Sequence, residues 1–269
     1  MGKTEIISKS DYIITFGSFL ASDNEIIKDS IIQAIAKNSA EFIYMHPVDN
    51  IDLKVYYSQF IKYEVGSEEG ISSLLLDTFT KHASSKVTEY IDDLDIGYIS
   101  AESSAGEEEF EEALEKLVNK ENAVLIVGRD IINHPRVENI IKMLSVLNRY
   151  SKLTVLALDE KLQSAIQKCD EDLDEVEELA SYNGTVIYTT FEELNEGKLI
   201  GSESFARVAK VANKDKVLIN YGSEKIEKDF VVDKDLYGMV ALCALNSEDS
   251  TSLSQGYRFK QVKIEKVDA

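Results

Sequence analysis

"LIVGRDIINHPRVENI", residues 125–140, decides how this chain is read. An apolar run stops at Gly128, polar residues follow, and apolar residues then return at Val137, Ile140, Ile141, Leu144 and Leu147. A short β-branched run ended by glycine reads as a buried strand, and spacing of three and four reads as an amphipathic helix. Asn133 or His134 can cap that helix, with Pro135 near its first turn, where a missing N–H costs little. The next apolar run, "SKLTVLALD" at 151–159, completes a β-α-β unit.

The same pattern occurs earlier. "DYIITFG" at 11–17 precedes a helical spacing at Ile26, Ile27, Ile31 and Ala34, and "AEFIYMHP" at 40–47 closes the unit. Laid over the later unit, Gly17 falls on Gly128 and Ile26 on Val137, and Asp23 or Asn24 can cap the first helix. Parallel strands joined by helices predict an α/β class, with a doubly wound, mostly parallel sheet built from β-α-β units.

Between the units, Glu68 and Glu69 head a helix over "SEEGISSLLLDTFTKHAS", placed where acidic groups favour the positive end of the helix dipole. Ser104 and Glu107 form an S-x-x-E box before "EEFEEALEKLVNK", and the stretch 86–106 reads as a polar surface excursion. Residues 170–181, rich in Asp and Glu, read as an acidic helix, with a strand "TVIYTT" and a helix "SESFARVAKVAN" after it. From about 216 the period changes to two, and four strands with no room for crossover helices are expected to pair as hairpins or on an edge of the sheet. A boundary near 213 thus separates an α/β domain, 1–212, from a β-rich tail, 213–269.

The composition narrows the functions. Asp and Glu number 49 against 29 Lys and Arg, a formal charge of −20 that repels a phosphate backbone, so nucleic acid is not an expected partner. No apolar run reaches the roughly 18 residues of a bilayer span, and the polar segment after Met1 lacks a leader pattern, which points to a cytoplasmic setting. Cys169 and Cys243 stand far from each other and from any His at ligand spacing, so no metal centre is expected. Neither G-x-G-x-x-G nor a P-loop occurs. The candidate anion site is positional: Gly17, Ser18, Gly128 and Arg129 fall at strand carboxyl ends, where open α/β sheets bind ligands, and Arg129 offers a guanidinium.

Two stretches, "YEVGSEEGISSLLLDTF" at 63–79 and "LIVGRDIINHPRVENI", preceded by "DYIITFGSFLASDNEIIKDSI", resemble a molybdopterin-oxidoreductase-type domain. The domain in question forms the C-terminal half of the large iron–sulfur subunit of bacterial NADH-quinone oxidoreductase, respiratory complex I. The resemblance covers roughly residues 11–160, and the cysteine-rich cluster motifs of that subunit's N-terminal region have no counterpart here. It implies a structural or assembly domain with no cofactor or catalytic site of its own. Its partners would be the other subunits of a membrane-attached quinone reductase, peripheral to the inner membrane. Gly17, Ser18, Gly128 and Arg129 would then be a degenerate cofactor site. Two other readings stay open: a soluble enzyme or binding protein taking a nucleotide or pterin there, and an acidic interaction module using the helices at 107–120 and 170–181.

Overall fold

The computed structural model describes residues 2–191, 195–246 and 251–267. The chain divides into two compact units, Met1–Pro47 with Asp52–Ala180, and Val48–Ile51 with Ser181–Ala269.

The first unit holds a parallel sheet of β1 (Tyr12–Phe16), β2 (Glu41–Met45), β3 (Gln59–Ile61), β4 (Ala123–Val127) and β5 (Leu153–Ala157), in the order β3-β2-β1-β4-β5. Its helices are α1 (Lys3–Lys9), α2 (Leu20–Asp23), α3 (Glu25–Asn38), α4 (Glu68–Phe79), α5 (Ser85–Asp92), α6 (Ile96–Ser103), α7 (Glu107–Leu117), α8 (Val137–Tyr150) and α9 (Glu160–Lys168). Both expected β-α-β units are present and share the centre of the sheet, because β1 pairs in parallel with β2 on one side and β4 on the other. Alternate residues enter two different cores. Ile13, Phe42, Tyr44, Val124 and Ile126 pack with Ile27, Ile31 and Ala34 of α3. Tyr12, Ile14, Phe16, Leu125 and Val127 pack with residues of α4, α7 and α8. Burial of both faces explains why these strands read as unbroken apolar runs. Asn24 caps α3 by accepting the Ile27 N–H, as expected for that position.

Several local expectations fail for identifiable reasons. The stretch 86–106 forms α5 and α6, which Ser84 and Asp95 cap through the N–H groups of Val87 and Tyr98. The cap of α7 is not Ser104 with Glu107, because Ser104 ends α6 in the left-handed region. Glu109 instead accepts the Gly106 N–H. Residues 170–181 are not a helix but an irregular strap. Its acidic side chains find partners off their own backbone: Glu171 accepts from Arg149, Tyr150 and Ser84, Asp172 from Lys86, Asp174 from Lys142, and Glu177 from Arg136. Such side-chain bonds outweigh a run whose like charges would repel each other at helical spacing. The Tyr150, Ser84 and Arg149 donors hold the Glu171 carboxyl down at about 2, and Lys86 lowers that of Asp172.

The second unit is a mixed sheet in the order β11-β6-β10-β7-β9-β8-β12. Its strands are β6 (Val186–Thr190), β7 (Lys198–Gly201), β8 (Lys216–Tyr221), β9 (Glu224–Val232), β10 (Val240–Ala244), β11 (Phe259–Gln261) and β12 (Lys263–Lys266), with α10 (Glu203–Ala209). Among the described residues only β8 and β9 make the expected tight hairpin, turned by Gly222 at φ 57°. The division between units falls at 180/181 rather than near 213. The reason is pairing: β6 lies parallel to β10 and β7 parallel to β9, so the residues before 213 belong with those after it. Phe205, Phe230, Leu199, Val217 and Cys243 form the core of this unit.

Candidate functional site

The carboxyl ends of β1 and β4 lie side by side, and there Gly17 and Ser18 meet Gly128. Gly17 adopts φ 64°, a left-handed turn that glycine permits. The loops after the two strands continue the pairing. The Gly128 N–H donates to the Phe16 carbonyl at 2.8 Å, and the Asp130 N–H to the Gly17 carbonyl at 3.1 Å. A Cβ on Gly128 would stand 1.9 Å from the Gly17 carbonyl oxygen, and one on Gly17 2.9 Å from the Ile131 side chain. Ser18 is fully buried, whereas Arg129 is exposed.

Three backbone N–H groups at this junction are engaged within the protein rather than left for a phosphate. Anion cradles at strand ends work by leaving backbone N–H groups free and letting the ligand approach glycine closely. Here the Gly128 and Asp130 N–H groups bond to the neighbouring strand, and the Phe19 N–H donates to the Asp23 carboxylate at 3.0 Å. The close approach at Gly128 is made by the backbone of Gly17.

Next to the junction lies a set of buried ionisable groups that sequence reading missed. His46, just past β2, and Asp130 are both fully buried, with the His46 Nε2 and an Asp130 carboxylate oxygen 3.0 Å apart. His46 also stacks on Tyr44. Glu68 and Glu69, expected at the head of α4 for the sake of its dipole, are 0% and 1% exposed. The Arg136 Nε donates to both Glu69 oxygens at 3.1 Å, and the Asn139 amide donates at 2.8 Å. The His134 Nε2 stands 3.3 Å from Glu68 and 3.2 Å from the Gly66 carbonyl, while its Nδ1 accepts the Arg136 N–H. Burial pulls the His134 imidazole down, but Glu68, the Gly66 carbonyl and Glu69 together outweigh it and leave the pKa raised. Burial, with Glu68 and Asp130 nearby, pushes the Tyr63 phenol well above its ordinary value.

These residues come from α4, from α8 and from the loops after β2, β3 and β4, so no local spacing could have paired them. A faint signal was present: two acidic residues followed at once by Gly70, whose missing Cβ admits Ser103 and Leu179. The set ties α4 to the entry of α8. Removing one partner of a buried pair of this kind is costly, because it leaves the other group buried without its counterpart. Among the described residues, no three His, Cys, Asp or Glu side chains gather closely enough to hold a metal ion. No helix among them is long and apolar enough to cross a membrane.

No protein-family model matches the sequence, and no curated protein does. Among solved structures the chain is similar to acetylene hydratase from Pelobacter acetylenicus, with a TM-score of 0.38 and 9% sequence identity. That likeness covers 68% of this chain and 26% of the other, so the chain spans about a quarter of that protein's length.

Proposed function

We propose that this chain is a structural or assembly domain of the peripheral arm of NADH-quinone oxidoreductase, built on a doubly wound α/β sheet and without a redox centre of its own. The resemblance to the large iron–sulfur subunit motivates the reading, and it implies a domain on the cytoplasmic side of the inner membrane, held there by the other subunits. The observation that carries its non-catalytic part is the junction of β1 and β4. Their loops bond to each other, and the Asp23 carboxylate takes an N–H that an anionic ligand would need.

The test is a tagged pull-down of this chain from a mild detergent extract of its native membranes, read by mass spectrometry. Recovery of quinone reductase subunits is expected, and recovery of the chain alone overturns the assignment. A parallel thermal-shift screen of nucleotides and pterins is expected to leave the melting temperature unmoved. A ligand that raises it in the wild type but not in Arg129→Ala would establish the binding-protein reading in its place.

A further inference from the structure

At the opposite end of the first unit's strands lies a cavity of about 650 Å³. The C-termini of α4, α7 and α8 converge on it, since Phe79, Leu117 and Tyr150 end those helices and all line it. Its apolar wall is Phe79, Leu114, Leu117 and Val118, the last of which is 64% exposed. Cavities of this size, roughly 300–1,000 Å³ with apolar walls and a few polar groups, are the usual dimensions of a small-ligand site.

Its rim is basic in a chain that is acidic as a whole. Lys81, His82, Arg149 and Lys152 line the cavity against a single rim carboxylate, Glu115. Cations near helix C-termini have a structural explanation, because each end carries about half a negative charge. That explanation covers only part of the set. Helix α7 has its own last-turn cation in Lys116, which pairs with Glu112, and α8 has Arg149, which is held by Glu171 and the Cys169 carbonyl. Helix α4 has no basic residue in its last turn. Lys81, His82 and Lys152 remain, and a whole ammonium charge exceeds the half charge at a helix end.

We infer that this cavity is a binding site for a small amphipathic carboxylate, its alkyl or aryl body against Phe79, Leu114, Leu117 and Val118 and its carboxylate at Lys81 and Lys152. The apolar wall supplies most of the affinity, through area removed from water, and the two lysines select the sign of the headgroup. The site is separate from the β1–β4 junction and does not depend on the function proposed above.

The experiment is calorimetric titration of the full chain with decanoate, decanol and decylamine, three probes that share one body and differ in head charge. Decanoate is expected to bind most tightly and decylamine least. Lys81→Glu with Lys152→Glu, both at exposed positions, should weaken decanoate about tenfold and leave decanol unchanged. Val118→Arg, at the cavity mouth, should weaken decanoate and decanol together. Equal binding of decanoate and decylamine, retention of decanoate by the double variant, or no binding of any probe would each overturn the inference. Unchanged circular dichroism of the variants separates a lost site from a lost fold.

Discussion

At Gly128 the identity of one residue decides whether two strands can continue their pairing into the loops beyond. The space that a Cβ needs is taken by the Gly17 carbonyl at 1.9 Å and the Ser18 Cβ at 2.4 Å, so backbone has to move to admit it. Gly128→Ala is therefore expected to destabilise the first unit by about 3 kcal/mol or more, measured by urea denaturation. A loss under about 1 kcal/mol would mean that the two loops are not locked together as described. The two stops at Gly17 and Gly128 were legible in the sequence, since a glycine after a β-branched run marks where a strand must stop and turn; that the two turns adjoin was not. What could not be read was the purpose of the close approach: glycine admits a phosphate or a neighbouring backbone equally well. Glu68 and Glu69 show the same limit. Their place in a first turn was correct, but burial depended on His134 and Arg136, more than sixty positions away.

The elements divide into those specified by their own period and those specified by partners. Strands β1, β2, β4 and β5 and helices α3 and α8 carry a full repeat of apolar residues, and they form where the pattern puts them. Strand β3 has three residues, too few for any period to show. The strap at 170–181 is the opposite case, with helical composition overridden by ion pairs to α5, to α8 and to Arg136 just before it. Its attachment has a definite pH dependence. The Glu171 pKa is depressed from its ordinary 4.5 to about 2, so the stabilisation is complete above about 4.5 and is lost as pH falls through about 2. Asp172 is depressed in the same direction. Pepsin cleavage within the strap is thus expected to rise steeply between about pH 4 and about pH 2, with sites mapped by mass spectrometry. Glu171→Gln should be cut readily at both values. Equal cleavage of the wild type across this range would show that the carboxylate contacts do not hold the strap down.

Over the whole molecule, the two units rest on separate sets of core residues, one on each face of the parallel sheet in the first and one under the mixed sheet in the second. Phe230 is fully buried in the latter, and Phe230→Ala should cost about 4 kcal/mol there. Scanning calorimetry is expected to show one transition lowered and the other in place; a uniform shift of all unfolding would contradict separate cores. The parallel sheet followed from two β-α-β repeats in the sequence. The mixed sheet did not, because β6 and α10 look like the tail of an α/β pattern until β10 and β9 are seen beside β6 and β7. The grouping of Val48–Ile51 with the second unit has a consequence for synthesis. Those four residues leave the ribosome early, while the rest of their unit begins at Ser181. At ordinary translation rates the interval is roughly 10 s, so a nascent chain that has already closed its first sheet must carry this segment unmatched until the last third of the protein emerges.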